Sequence, residues 1–222
     1  MRRISFIAMI MLSVLACKNR ENKTVEEPND SIETQILDNA KDTSNTQLVN
    51  NYIEVNTWVD DLKNFRQALY TKDIAKLKTY FIFPYDGDKS SIWSQMSFND
   101  VEIAARKSKY VKPELFYAED FNKYFDIIFN ADFVKTIMKI KTSQLYSKHH
   151  SETPQFIADE QTYEMIADYN KEQNVLQLNM SYDNNSLDEN GEKVSEGEHN
   201  VIYIFDVIDG KNIIFKKLEL AG

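Results

Sequence analysis

The change of hydrophobic period along this 222-residue chain is the feature that most restricts its fold. Up to Ile140 the apolar residues recur every three or four positions, which is typical of helices with one buried face. From Leu176 onward they alternate with polar residues, which is typical of strands with one buried face. Helices followed by strands predict a single α+β domain over residues 47–222, with the helices packed on one face of a C-terminal antiparallel sheet.

The alternating part of the chain predicts four strands, at residues 163–169, 176–182, 201–208 and 213–220. The first two flank a turn at 170–174 and form a hairpin. Asp209-Gly210 joins the last two, and this dipeptide is typical of a tight primed turn. The acidic segment 183–198 has no apolar period and is predicted to be a surface loop.

The helical part begins with a long apolar stripe made by Leu48, Tyr52, Val55, Val59, Leu62, Phe65 and Leu69. Thr71 is expected to cap a second, shorter helix, and Pro84 to end it because its ring excludes further helix. Asp86-Gly87-Asp88 predicts a turn.

The segment 90–113 follows neither period clearly, apart from a helix predicted at 101–109. Beyond it a further helical stripe is formed by Phe121, Tyr124, Phe125 and Ile128. Asn130 is expected to cap the next helix. The residues of that helix predicted to face inward are Phe133, Ile137 and Ile140.

The first seventeen residues have the layout of an export signal. Arg2 and Arg3 precede an apolar run from Ile4 to Leu15, which is too short for a bilayer core that needs about 20 residues. We therefore interpret the run as a signal segment and not as a permanent span.

Residues 14–17, Val-Leu-Ala-Cys, resemble the lipobox of bacterial lipoproteins. The resemblance implies that residues 1–16 are removed and that Cys17 receives a thioether-linked diacylglycerol. The alternative is an ordinary secretory signal followed by a chance cysteine. If Cys17 is lipidated, residues 17–46 form the lipidated end and a flexible polar linker. The protein is expected in a Gram-negative cell envelope, facing the periplasm or the cell surface, with Lys18 favouring the outer membrane.

Charge and cysteine content exclude some classes of partner and of scaffold. The net charge is −9, and loss of Arg2 and Arg3 with the signal lowers it by two, to −11, so nucleic acid is not an expected partner. Anionic lipid headgroups would also repel a domain of this charge, so membrane attachment should depend on the acyl chains at Cys17. Because Cys17 is the only cysteine, no disulfide can form within one chain.

Several packing segments together resemble a fold superfamily. These segments are the helix at 60–70, residues 72–84 ending in Phe83-Pro84, the run FNKYFDIIF at 121–129 followed by 133–137, and the closing strands. They are similar to the nuclear-transport-factor-2-like (cystatin-like) superfamily, whose members wrap a curved sheet round helices into a cone with an apolar pocket. That cone hosts enzymes, ligand binders and interaction modules, so the resemblance implies a fold and leaves the function open.

Two acids could serve a pocket enzyme. Asp206 lies within the apolar strand 201–208, where burial would raise its pKa and suit it to proton transfer. Asp126 could also point inward, although the wet face of a helix is the commoner position for an acid. An isomerase or dehydratase would need one of them in a closed pocket with a tyrosine within reach.

Aromatic side chains could also line a ligand cavity, although most of them are expected in the core. The set that we consider for a pocket is Trp58, Phe65, Phe125, Tyr203 and Asp206. The three histidines lack the spacing of a metal site, and the acidic loop lacks the EF-hand pattern. We therefore predict no metal site, no cofactor and no catalytic residue.

These observations predict a lipid-anchored envelope protein that acts as a non-catalytic module, binding a small apolar ligand or a protein partner. Two alternatives stay open. One is the isomerase- or dehydratase-type enzyme with a pocket carboxylate. The other is an immunity or inhibitor lipoprotein with a flat apolar patch near the acidic loop 183–198.

Overall fold

A computed structural model of the chain describes residues 51–86, 90–96, 98–158 and 161–222. The predicted signal segment, Cys17, the linker and most of the turn predicted at 86–88 lie outside these ranges. Within them the chain is an α+β domain, as the order of helical and alternating segments predicts. None of the helices in the described ranges combines the length and the apolar character needed to cross a membrane.

All the described helices come before the main sheet in the chain. They are α1 (Trp58–Tyr70), α2 (Ile74–Lys78), a 3₁₀ turn (Ser91–Gln95), α3 (Asp100–Lys109), α4 (Ala118–Ile128), α5 (Ala131–Ile137) and α6 (Thr142–Lys148). Two short strands, β1 (Tyr85–Asp86) and β2 (Leu115–Phe116), pair antiparallel and bracket the segment that contains α3.

The main sheet has six antiparallel strands, which are β3 (His150–Glu152), β4 (Phe156–Ala158), β5 (Gln161–Asn170), β6 (Val175–Asn184), β7 (His199–Ile208) and β8 (Asn212–Ala221). Their order across the sheet is β3-β5-β6-β7-β8. Strand β4 also pairs with β5, along a different stretch from the one that pairs with β3. The predicted turn between β7 and β8 is confirmed, since Asp209 and Gly210 both have positive φ, 51° and 67°. A bulge at Ile204/Phe205 interrupts the β7–β8 register.

The core lies between the helices and one face of the four long strands. Phe65 of α1 is fully buried, and its ring centroid is 5.0 Å from that of Tyr80, 5.7 Å from Phe129 and 5.3 Å from Phe205. Tyr203 of β7 packs on Phe129 and Phe133, and its hydroxyl donates to the Ile128 carbonyl at the end of α4 over 2.6 Å. The space between helices and sheet is therefore filled by aromatic rings in edge-to-face and tilted contacts.

The first helix starts later than the apolar stripe predicts. Thr57 is extended, and its side chain accepts from the Asp60 N–H while the Asp60 carboxylate accepts from the Thr57 N–H. This capping box starts the helix at Trp58, so the prediction that the helix begins at Leu48 is wrong for the residues described before Trp58. Tyr52 still packs nearby, because its hydroxyl donates to Asp73 Oδ2 over 2.6 Å.

The second helix and the region after Ile140 also differ from the prediction. Asp73, and not Thr71, caps α2, because its carboxylate accepts from the Lys76 N–H over 3.0 Å. The helix ends at Lys78, before Pro84 can end it. The helix predicted at 101–109 and the Asn130 cap are confirmed. Helix α6 and strands β3 and β4 were not predicted.

Groups from earlier segments close the free edge of β8. A strand edge presents unpaired N–H and C=O groups, and here they are bonded from outside the sheet. The contacts are Ile213 N–H to the Asp61 carboxylate (2.9 Å), Phe215 N–H to the Tyr80 carbonyl (2.7 Å), the Tyr85 hydroxyl to the Lys216 carbonyl (2.9 Å), and Leu218 N–H and C=O to the Ser90 hydroxyl (2.9 and 3.1 Å).

Candidate functional site

Asp61 is one of two buried acids among the described residues, the other being Asp120, and α1 places it against the closing hairpin. It lies three residues after Trp58 and four before Phe65, so it shares their inward face of the helix. Only 4% of Asp61 is exposed. Its Oδ2 accepts from the Ile213 N–H over 2.9 Å and its Oδ1 from the Tyr80 hydroxyl over 3.0 Å. Both carboxylate oxygens are therefore occupied by donors from different segments.

The environment of Asp61 shifts the pKa of its carboxyl group. Burial raises the pKa of the Asp61 carboxyl above its ordinary value of 3.8, while the hydrogen bonds from Ile213 and Tyr80 and the charge of Lys76 act in the opposite direction. Burial also raises the pKa of the Tyr80 phenol, with the adjacent Asp61 charge adding to the effect. The neutral Tyr80 hydroxyl thus stays a donor to the carboxylate at ordinary pH.

A surface depression of about 360 Å³ lies over this pair, lined by Asp61, Lys76, Thr79, Tyr80, Ile208, Asn212, Ile213 and Ile214. The Lys76 ammonium is 5.0 Å from the Tyr80 ring centroid and 5.5 Å from that of Tyr52, within cation–π range of both. The depression therefore combines an apolar wall of isoleucines with a cation on one side and a buried anion at its base.

The side chains around the depression are better placed to bind a ligand than to catalyse a reaction. A ligand in the depression meets the isoleucine side chains, the Asn212 amide and the Lys76 ammonium, whereas the Asp61 oxygens are already bonded. The same bonds give Asp61 a structural role, because its carboxylate supplies the acceptor for an N–H at the edge of β8. The depression is therefore a candidate binding site, and Asp61 at its base is also part of the fold.

The aromatic residues predicted to line a pocket pack against other aromatic side chains. Trp58 packs on Tyr169 with a centroid distance of 4.5 Å, and Phe125 is buried near Phe129 at 5.9 Å. Phe65 and Tyr203 lie in the aromatic core described above. Of the predicted set, none lines the depression over Asp61.

The two acids considered for catalysis lie at the surface. Asp206 accepts from Lys216 Nζ over 2.8 Å, and 39% of its side chain is exposed. Asp126 pairs with Lys72 over 2.7 Å, and 74% of its side chain is exposed. Neither occupies the closed pocket that the isomerase hypothesis requires.

The histidines do not assemble a metal site. His150 Nδ1 is 2.7 Å from Asp168 Oδ1 and its Nε2 is 3.2 Å from Glu152 Oε1, and the Asp168 hydrogen bond raises the pKa of the imidazole above its ordinary 6.5. His199 stacks on Tyr182 with centroids 4.7 Å apart. Within the described ranges, no group of three His, Cys, Asp or Glu side chains could hold a metal ion.

Sequence reasoning missed Asp61 although a signal for it exists. A carboxylate in the first turn of a helix usually serves the helix N-terminus, and Asp60 does so here. The next residue is also acidic but falls on the face of Trp58 and Phe65, where an acid needs a partner. Its partners, Tyr80 and Ile213, are distant in the sequence, and spacing alone does not reveal them.

A comparison with protein-family models, with curated proteins and with solved structures finds no match to this chain. Its function therefore has to be inferred from the sequence and from the geometry described above.

Proposed function

We propose that this chain is a lipid-anchored protein of the bacterial cell envelope whose folded domain binds a ligand or partner without catalysis. The anchor is supported by the sequence of residues 1–17, in which a basic and apolar segment leads to the only cysteine. The acyl chains on Cys17 would hold the domain at the membrane through the polar linker 18–46.

The observation that carries the binding role is the filled core. Aromatic rings occupy the space between the helices and the sheet, and the fully buried ones include Phe65, Phe121, Phe129, Phe133 and Phe205. A substrate chamber in this part of the domain would have to displace them, at a cost of about 3–5 kcal/mol for each large side chain removed. Contacts with a partner are therefore expected at the surface, with the depression near Lys76 and Asn212 as the small-molecule site.

We extend the proposal to the fold family. An NTF2-like arrangement is supported by helices that pack on one face of an antiparallel sheet and by the bulge at Ile204/Phe205, since bulges bend and twist strands. In that arrangement Phe65, Phe205 and Tyr203 take the space that other members leave for an apolar pocket.

One observation favours a second candidate, an enzyme with a pocket carboxylate. The Asp61 carboxylate lies 3.0 Å from the Tyr80 hydroxyl at the base of the depression, which is an acid with a tyrosine within reach. A proton-transfer role would require Asp61 to exchange one of its two donors for substrate. Ligand binding that survives Asp61→Asn supports the binding module, whereas turnover that disappears with Asp61→Asn and not with Asp206→Asn would support the enzyme.

The anchor is tested by labelling. Cells that express the chain are fed an alkyne fatty acid and compared with a Cys17→Ala variant and with cells treated with a signal-peptidase II inhibitor. We expect the wild type to be labelled, processed and in the membrane fraction, and Cys17→Ala to be unlabelled and unprocessed. Cells treated with the inhibitor should hold an unprocessed form that still carries label, because the inhibitor blocks cleavage and leaves the thiol of Cys17 free to receive diacylglycerol. Equal fractionation and equal mass of wild type and Cys17→Ala would overturn the anchor.

The binding role is tested on the same purified protein. A fragment library is screened by ligand-observed NMR against the wild type and Lys76→Gln, with Lys72→Gln as the matched surface control. Loss of hits with Lys76→Gln alone places the ligand in the depression, because Lys72 is exposed and pairs with Asp126 elsewhere. Hits that persist unchanged in Lys76→Gln contradict this location.

A further inference from the structure

The acidic loop between β6 and β7 contains a small hairpin with a closed tip. Leu187 and Lys193 form an isolated antiparallel bridge. Inside it, the Asp188 N–H donates to the Glu192 carbonyl over 2.8 Å, and the Gly191 N–H donates to the Asp188 carbonyl over 3.0 Å. Gly191 has a φ of 80°, which glycine adopts without steric cost. The tip of the loop is therefore a hydrogen-bonded turn.

This turn holds Asn190, the one asparagine in the sequence that is followed by glycine. An asparagine before a glycine can lose its side-chain amide without an enzyme, because the next backbone nitrogen can reach the side-chain carbonyl carbon and close a five-membered ring. Asn190 and Gly191 are both exposed. Leaving aside its two chain neighbours, no heavy atom of the described residues lies within 4 Å of the place that a Cβ on Gly191 would take. The space beside this glycine is therefore open.

Asp188 restrains both of the groups that would react. Its Oδ1 accepts from the Asn190 and Glu192 N–H groups, each over 2.8 Å, and its Oδ2 accepts from the Asn190 side-chain amide over 3.3 Å. The hydrogen bond from Glu192 and those from Asn190 lower the pKa of the Asp188 carboxyl below its ordinary 3.8, so it stays an ionised acceptor. The Gly191 nitrogen is itself bonded to the Asp188 carbonyl. Ring closure therefore requires the turn to open first.

We propose that Asn190 is a modification site, at which the chain deamidates without an enzyme at a rate that Asp188 limits. In the opened turn the Gly191 nitrogen gives its proton to hydroxide and attacks Cγ of Asn190. The bond from Cγ to the side-chain nitrogen breaks, and that nitrogen takes a proton from water and leaves as ammonia. Water then opens the succinimide at one of its two carbonyls, which leaves aspartate or isoaspartate at position 190.

Either product changes the loop. Each adds a negative charge beside Asp188, Glu189 and Glu192, and isoaspartate also inserts one carbon into the main chain before Gly191. The inserted carbon does not fit a turn in which Asp188 bonds to both Gly191 and Glu192. We therefore expect the loop to loosen as the protein ages while the sheet stays intact. This inference goes beyond the proposed binding role and does not depend on the lipid anchor.

The experiment follows the purified full chain through a long incubation at neutral and at mildly alkaline pH. A short digestion with trypsin releases the turn in the peptide 172–193, and tandem mass spectrometry locates each asparagine that has become an acid. The other asparagines of this peptide serve as internal references. The wild type is compared with Asp188→Ala. Glu189→Ala is the matched control, because it removes a neighbouring acid whose side chain makes none of the hydrogen bonds of the turn described above.

We expect conversion at Asn190 in the wild type, faster at the higher pH because the attacking nitrogen must lose its proton. Asp188→Ala should accelerate it about tenfold, the order of change expected when hydrogen bonds to a charged acceptor are lost. Glu189→Ala should leave the rate nearly unchanged. Gly191→Ala should suppress conversion even though alanine disfavours the positive φ of the turn, since the added side chain hinders the attack.

Three outcomes would overturn the inference. Conversion of the other asparagines in the peptide while Asn190 stays intact removes the modification site. Equal rates in the wild type and Asp188→Ala remove the control by Asp188. An acceleration in Glu189→Ala as large as that in Asp188→Ala assigns the effect to the lost charge and removes the role of the hydrogen bonds.

Discussion

The aromatic core and the segment 90–117 are held together by different forces. In the core, Phe65 contacts rings from several distant segments and is fully buried. In the segment 90–117 the organising side chain is Arg106, whose guanidinium bonds to Asp120 and to the Pro113 carbonyl and lies 4.3 Å from the Trp93 ring centroid. Its helix, α3, has no buried residue.

The difference teaches which part of the domain should fold as one unit. The contact of Phe65 with Phe205 joins residues on the first helix and the seventh strand, so losing it weakens the whole core. The Arg106–Asp120 pair joins residues only 14 apart in the sequence. Its loss should open the segment 90–117 while the sheet persists, because partial openings follow local contact units.

The largest expected effect comes from Phe65→Ala. Removing a fully buried ring from the core should lower the free energy of unfolding by about 3–5 kcal/mol. Urea denaturation followed by the fluorescence of the buried Trp58 measures this. Phe65→Leu is the control and should cost less, because leucine refills part of the space. A loss under about 1 kcal/mol in Phe65→Ala would contradict the filled core.

A smaller and local effect is expected from Arg106→Met. The substitution keeps an apolar stem but leaves Asp120, whose side chain is 7% exposed, without its cation, at a cost of about 3 kcal/mol. Hydrogen–deuterium exchange should speed up across residues 90–117 and stay unchanged in β5, β6 and β7. Adding Asp120→Asn should restore part of the loss, since the buried charge is removed. Faster exchange throughout the sheet would show that the two regions are one unit.

The smallest effect is expected from Asp61→Asn, at about 1 kcal/mol near neutral pH, because the amide oxygen can still accept from Ile213. Since the pKa of Asp61 is raised above 3.8, the folded state holds this proton longer than the unfolded state. The stability of the wild type relative to Asp61→Asn should therefore fall as pH rises from 3.8 through the raised pKa. Urea midpoints across this range measure the slope, and a relative stability that rises with pH would contradict it.

The sequence predicts the parts of the fold in which period and local chemistry agree. Leu62, Phe65 and Leu69 share a helical face, and the strands alternate as expected. Asp209-Gly210 forms its turn because both positions need positive φ. The predicted start of α1 is wrong because the apolar stripe begins before Trp58, whereas the capping box at Thr57 determines the first residue of the helix.

The site was harder to predict because its partners are far apart in the chain. Asp61 meets Ile213 across 152 positions, and a single sequence has no pattern that reports such a bond. The position of Asp206 was hard to predict for a related reason. It lies in an apolar strand, but β7 has two faces, and Asp206 lies on the one where Lys216 of β8 reaches it. The alternation of residues along a strand separates its two faces. When both faces carry apolar residues, the sequence does not tell which face is exposed to solvent.

Under the proposed lipid anchor, the closed edge of β8 has a consequence for copies of this protein held in one membrane. Proteins confined to a plane meet side by side far more often than in solution. An open strand edge would let neighbouring copies pair edge to edge into extended sheets. Here a carboxylate, a carbonyl and two hydroxyls already occupy hydrogen-bonding positions of that strand from Ile213 to Leu218. Along that stretch an arriving strand finds these positions occupied, so copies held side by side by the proposed anchor are not expected to associate through β8.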